Sequence, residues 1–419
     1  MSLRSVTPLF LSATLLATSA LGQVETLEQP APAAARASYP HATEPIGSVR
    51  ETYDGVLTPE MAVNTFRNID RLFPARTVPR SLAPMPLPPA AVPLVNVSFQ
   101  VGNKAYDLID YLYINKIAAL LVLKEGRVKL ELYRFGNSAR TRWMSMSVAK
   151  SITSTLIGSA VKQGYIESLT DDVTEYVPSL SGSAYDGVTI RDVLMMSSGV
   201  GWSEEYTDPA SDRRRLLEAQ IAQVPGGALA VMKSLPRVAE PGTVNNYNTG
   251  ETQVAAEVLR GAVGQTLAKY LSERIWSKFG MEADANWWLE SPDGIEIGGS
   301  GFSATLRDYG RFGQFLLNGG RAGGEAILPS YWIREATTPK VLKGGTPLEY
   351  GYLWWTGTTP ASREDGAYMA IGIHGQTLYV NPVAKVVVVA WGARPEPMAE
   401  YAIDDWLFCD AVADALKSK

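Results

Sequence analysis

Apolar and polar positions fall into blocks whose periods change along the chain. Two apolar runs, Ile117-Ala-Ala-Leu-Leu-Val-Leu123 and Val128-Lys-Leu-Glu-Leu-Tyr133, flank Glu125-Gly126 and predict a β-hairpin. Val148 to Val161 then predicts an apolar, buried helix that Gly164 ends. Further helices are predicted at 188–196 (entered through Thr189), 211–222, 226–236, 249–262 and 265–279. Another is predicted at 304–319, where Leu306, Phe312, Phe315 and Leu316 share one face. Strand-like runs follow at 350–355, 368–373, 376–380 and 386–391, with Asn381-Pro382 as a turn between the last two. Residues 398–417 predict a closing amphipathic helix.

A hairpin early, a meander late and helices between them imply an α+β fold. One antiparallel sheet is assembled from both chain ends and flanked by helices, with a mostly helical subdomain inserted. On this reading residues 96–146 and 300–419 form the sheet subdomain and 147–299 the helical one. Residues 46–95 form an irregular N-terminal arm with short helices at 59–66 and near Asn68. Residues 23–45, rich in Ala, Pro and Glu, read as a disordered linker.

Composition changes this picture mainly at the front of the chain. Arg4 followed by a mostly apolar Val6–Leu21 and small residues at Ala20-Leu-Gly22 reads as a signal peptide over 1–22. The expected address is periplasmic or secreted. The single cysteine, Cys409, excludes a disulfide framework and a lipid-anchored cysteine after the apolar run. No later run is long and apolar enough to span a bilayer. A formal net charge of -5 argues against nucleic acid as a partner. Oligomeric state is not legible.

Candidate chemistry narrows quickly. The two histidines, His41 and His374, and the absence of His-Glu-x-x-His or a Cys/His cluster argue against a catalytic metal, and no cofactor is implied. Dinucleotide and phosphate-loop fingerprints are missing, and so is a Gly-x-Ser-x-Gly elbow. What remains is Ser147-Val-Ala-Lys150 at the start of a buried helix. Residues three apart on a helix are neighbours, about 5–6 Å between Cβ atoms. A serine hydroxyl needs such an activating group, and burial lowers a lysine's pKa towards neutrality. The helix N-terminus favours developing negative charge. A second such spacing, Ser159-Ala-Val-Lys162, lies at the helix's C-terminal end, where the lysine merely complements the dipole. In the polar run Asn245-Asn-Tyr247-Asn-Thr249-Gly250, Tyr247 is the candidate partner. Beside a cation its phenol is expected below the usual value of about 10, ready to carry the Ser147 proton.

Taken together, Ser147-Val-Ala-Lys150, Tyr247-Asn-Thr249 and Ala370-Ile-Gly-Ile-His-Gly-Gln376 resemble, in order and spacing, the three motifs of serine β-lactamase-like hydrolases. These include penicillin-binding proteins, class C β-lactamases and esterase relatives. The likeness extends over roughly residues 50–415 and is strongest to the 6-aminohexanoate-dimer hydrolase branch, through Asp54-Gly-Val-Leu-Thr-Pro59, the 197–209 segment and Tyr350-Gly-Tyr-Leu-Trp-Trp355. It implies that Ser147 is acylated, that Lys150 and Tyr247 activate it, and that the N–H groups of Ser147 and Ile373 form an oxyanion hole. Tyr206 and Trp355 match positions that line the acyl or leaving-group pocket, and Gly372 is a further substrate-binding candidate; His374, two residues on, either supplies charge to a substrate when protonated or packs beside the sheet. Two departures matter. Thr249 stands where the family's Tyr-x-Asn carries its amide, and Ala370-Ile-Gly372 replaces Lys-Thr-Gly, removing the cation that grips a substrate carboxylate. Both favour amides or esters without a carboxylate beside the scissile bond.

Three readings stay open at this point. The first is a hydrolase of small-molecule amides or esters acting through acyl-Ser147, whether amidase, carboxylesterase or D-amino-acid peptidase. The second uses His374 as the base. The third is a catalytically silent cell-envelope binding module.

Overall fold

The computed structural model describes residues 39–399 and 402–417. The expected signal peptide and residues 23–38 of the expected linker lie outside them. No described helix is long and apolar enough to cross a membrane.

A six-stranded antiparallel sheet is assembled from both halves of the chain, as the α+β reading requires. Its order is Trp355–Thr356, Tyr368–Gly372, Gln376–Asn381, Val386–Gly392, Ile117–Lys124, Arg127–Tyr133. The join between halves is the pairing of Val386–Gly392 with Ile117–Lys124, in which Val387 faces Leu123 and Val389 faces Leu121. Seven of the eight residues of Ile117–Lys124 are buried. The sequence therefore shows a continuous apolar run and not an alternation, as expected for a strand covered on both faces. Ala119, Leu121, Leu123, Val387 and Val389 enter the main core. Leu120, Val122, Val386, Val388 and Ala390 enter a second core shared with the closing helix, through Trp406, Phe408 and Val412.

A four-stranded sheet, Ala75–Val78, Ala285–Trp288, Phe302–Thr305 and Arg142–Met144, escapes the hydrophobic pattern because each strand has only three or four residues. It hydrogen-bonds the N-terminal arm to segments on both sides of the boundaries drawn at 147 and 299. Residues from Tyr39 onward accordingly form one compact unit.

Two expectations need correction. Residues 39–45 are packed and not a disordered linker. The Tyr39 hydroxyl donates to the Arg67 carbonyl at 2.7 Å, and buried His41 bonds Thr141 at 3.0 Å. Glu44 receives Arg67 Nε and Nη2 at 2.7 and 2.8 Å. The run 350–355 is not one strand, although its aromatics suit one: only its last residue, Trp355, belongs to the sheet, and Tyr350 bridges to it. Leu353 adopts φ +58, and the backbone bonds outward, Tyr352 N–H to Ala336 O and Leu353 N–H to Leu194 O. A Cβ on Gly351 would lie 1.9 Å from the Ala336 carbonyl, so only glycine permits this approach. The closing helix starts at Asp405, later than expected, behind an Asp404 side chain that accepts the Trp406 N–H.

Candidate active site

Strand Arg142–Met144 leads into a tight turn with Met146 at φ +42, an unusual value for a side chain larger than glycine. Successive i→i+3 bonds (Ser145 O to Val148 N–H, Met146 O to Ala149 N–H) then start the helix Val148–Gln163, with Ser147 at its N-cap. The Ser147 side chain makes no capping bond, so its hydroxyl is free to face Lys150. Lys150 Nζ lies 2.8 Å from Ser147 Oγ, 2.9 Å from Thr249 Oγ1 and 2.9 Å from the Gly299 carbonyl. The lysine is 2% exposed and Ser147 8%.

Burial brings the Lys150 amine from 10.5 down to about 7; the Glu204 carboxylate works against this and Arg213 adds to it. Near neutrality a large share of the amine is therefore unprotonated. The other spacing match is structural. Ser159 is fully buried and accepts from Tyr270 and Arg274, while Lys162 is exposed.

Tyr247 arrives from the segment ahead of helix Thr249–Val263. Its hydroxyl interacts with the Ser147 side chain, and its ring centroid lies 5.2 Å from Lys150 Nζ. The expected drop in its pKa does not occur. Burial pushes the phenol up, with the Glu204 charge adding to the effect, so Tyr247 rests protonated. Around it stand Trp355, stacked on Tyr247 at 5.7 Å between centroids, and Tyr350, edge-on to Trp355 at 4.9 Å. Tyr206 is half-buried, and burial together with the nearby Glu204 carboxylate pushes its phenol up.

The loop 350–355 is pinned to the helix that Ser147 caps. Ser151 Oγ donates to Leu353 O and Ser154 Oγ to Tyr352 O, both at 2.6 Å. Strand Tyr368–Gly372 runs up to the Ser145–Met146 turn so closely that a Cβ on Gly372 would sit 2.7 Å from Ser145 O. Ile373 follows directly on this strand end.

His374 is not brought to the site. It is fully buried at φ +66, packs on Phe66 at 4.8 Å, and donates from Nδ1 to Arg394 O at 2.8 Å. Burial lowers it to about 4, so it is neutral. The expectation that it binds substrate is corrected: it secures the turn after the strand.

Sequence reasoning missed Glu204. It accepts Trp202 Nε1 at 2.5 Å, the Thr249 N–H at 2.9 Å and the Thr249 hydroxyl, and lies 4.0 Å from Arg213 Nε. An acid in a polar loop gives no periodic signal. Its only mark is membership of the 197–209 segment already noted.

A hydroxyl, a buried amine, a phenol and a strand end converge at the junction of a sheet and a helical cluster. Residues 117–410 fit the β-lactamase family model, and the protein belongs to that family. Among relatives, a 6-aminohexanoate-dimer hydrolase of Paenarthrobacter ureafaciens is 30% identical over 346 residues, 79% of this chain and 85% of that one. A solved structure described as a 6-aminohexanoate-dimer hydrolase from Bacillus anthracis superposes with a TM-score of 0.74 at 27% identity. It covers 84% of this chain and 93% of its own. A D-stereospecific amidohydrolase from Streptomyces sp. shares the fold, with a TM-score of 0.54 at 18% identity over 70% and 94% of the two chains.

Proposed function

We propose that this protein hydrolyses amide or ester bonds through an acyl intermediate on Ser147. The observation that carries this reading is the 2.8 Å contact between Ser147 Oγ and an amine that burial holds at about 7. Lys150 takes the serine proton as Ser147 attacks the carbonyl carbon. Protonated Tyr247, placed against both groups, passes a proton to the departing nitrogen or oxygen and is reprotonated from Lys150. The N–H groups of Ser147 and Ile373 receive the carbonyl oxygen as it gains charge. Water then reverses the steps and frees the acid.

Linear amides of the 6-aminohexanoate type are the favoured substrates, given the 30% identical relative of that name. The aromatic wall of Tyr206, Tyr247, Tyr350 and Trp355 suits a polymethylene acyl chain. Ala370-Ile-Gly372 offers no cation for a carboxylate beside the scissile bond, which disfavours β-lactams and D-Ala-D-Ala peptides. A Ser147–His374 pair is opposed by the burial and the committed Nδ1 of that histidine. We also propose export to the periplasm or medium, on the pattern of residues 1–22; immunodetection in cell fractions tests it.

The decisive experiment is labelling with a fluorophosphonate followed by peptide mapping, beside a screen of linear amides, p-nitrophenyl esters and a β-lactam. A single adduct on Ser147 with amide turnover is expected. An active preparation labelled elsewhere overturns the reading.

A further inference from the structure

We infer that Glu204 is a positioning residue that, acting through Thr249, fixes which way the Lys150 amine faces and so aims its lone pair at Ser147. The inference rests on the hydrolase reading above and adds a residue that the motif logic does not contain.

Direction follows from counting protons. A neutral amine has two N–H groups and one lone pair, and Lys150 has three neighbours in hydrogen-bond range: Ser147 Oγ, Thr249 Oγ1 and Gly299 O. The Gly299 carbonyl only accepts. A threonine hydroxyl has a single proton, and that of Thr249 is given to the Glu204 carboxylate, so towards Lys150 it too only accepts. Both amine protons are thereby assigned, and the lone pair is left for the one neighbour that has a proton to give. That neighbour is Ser147. Were position 204 a donor, the Thr249 proton could turn to the amine. The lone pair would then be spent on the wrong hydroxyl.

Glu204 is itself held to this duty. Its second oxygen accepts the Trp202 indole N–H and the Thr249 backbone N–H. Arg213 faces its first oxygen at 4.0 Å, with its own guanidinium 4.6 Å from the Tyr53 ring centroid. The other groups that feel its charge are the phenols of Tyr206, Tyr247 and Tyr350 and the Lys150 amine. Of the charges bearing on Lys150, the carboxylate favours the ammonium and Arg213 opposes it. Removing the carboxylate therefore lowers the pH at which the amine becomes a base, while also freeing the Thr249 proton.

The test follows the rate of fluorophosphonate labelling of Ser147 between about pH 5 and 9, half a unit either side of a midpoint being well resolved. The proteins are the parent, Glu204→Gln, Thr249→Val and Thr249→Ser, each checked by thermal melting. Glu204→Gln is expected to lower the midpoint by about half a unit and the plateau about tenfold. Thr249→Val, which keeps the carboxylate, is expected to lower the plateau about tenfold without that downward shift, and Thr249→Ser to keep the parent plateau. These two stand as the test by themselves if Glu204→Gln does not fold. A Glu204→Gln profile superimposable on the parent, or full labelling rates in Thr249→Val, overturns the inference. Absence of Ser147 labelling in the parent is a separate result: it overturns the hydrolase reading.

Discussion

The Lys150 amine sits 5.2 Å from the centroid of the Tyr247 ring, facing π density as well as the Ser147 hydroxyl. A cation over an aromatic face is stabilised electrostatically. The ammonium formed when Lys150 takes the serine proton is thus received by the residue proposed to pass that proton on. Tyr247→Phe keeps the ring, its stacking on Trp355 and the cation–π contact, and removes only the hydroxyl. The expected result is a fall of about 10²–10³ in kcat/KM with the melting temperature close to the parent's. A loss under threefold would remove Tyr247 from proton transfer.

Lys150→Ala is expected to lower kcat/KM by about 10²–10⁴ and to suppress labelling of Ser147. In the parent the base must be neutral, so activity should rise with pH through an apparent value of about 7, the position set by burial of the amine. A profile flat from pH 5 to 8 would show that another group takes the proton.

His374 makes a stability prediction whose sign is fixed. Its folded pKa, about 4, lies below the 6.5 of a free imidazole, so between those values the unfolded chain binds more protons. Stability from this residue is complete above about 6.5 and is lost as pH falls towards 4. The slope is about 1.4 kcal/mol per pH unit. Glu251, buried and raised to about 8, contributes the opposite slope from 4.5 upward, which masks the effect in the parent alone. The measurement is therefore a difference: urea midpoints of the parent and of His374→Gln should converge on acidification from pH 7 to 5. Parallel curves would contradict the neutral, buried imidazole.

Glu44→Ala removes the carboxylate that receives two Arg67 nitrogens and leaves that guanidinium, 7% exposed, short of a charge partner. A loss of about 2 kcal/mol is expected, less than for a fully buried pair because Glu44 is partly open to water. Turnover should hardly change. Chemical denaturation together with kcat/KM checks both halves.

Ser151→Ala and Ser154→Ala each strip one bond from the backbone of the aromatic loop and leave a carbonyl unsatisfied. About 1–3 kcal/mol is expected for each. Because Tyr350 and Trp355 ride on that loop, KM for long acyl chains should rise more than KM for acetyl esters. Equal changes for both would separate the loop from acyl-chain binding.

How far the sequence discloses all this depends on the length scale of each feature. Ser147 and Lys150 are one helical turn apart, so their meeting is local and readable from spacing. Val148–Gln163 and Ile117–Lys124 are long apolar runs with one plausible fate each. Strands of three or four residues such as Arg142–Met144 lack a readable period. Tyr350–Trp355 misleads because its aromatics, which suit a strand, instead serve separate clusters: Tyr350 and Trp355 pack on Tyr247, Tyr352 on Trp332 and Trp354 on Tyr368. His41 and Glu44 sit in an Ala- and Pro-rich context, yet a few specific bonds to Arg67 and Thr141 fix them. Glu204 acts across the 45 residues to Thr249, and no local rule announces such a partner.

The two serines that tether the 350–355 loop belong to the same helix that presents Ser147, so the aromatic wall and the Ser147 hydroxyl are anchored to one scaffold. Relatives diverging towards new acyl groups then have a cheap route and a costly one. Exchanging one ring for another on a fixed scaffold retunes the cleft, whereas inserting or deleting residues there shears the anchorage shared with Ser147. Directed evolution of this protein should accordingly yield its gains at the identities of Tyr206, Tyr350 and Trp355 far more often than through changes in loop length.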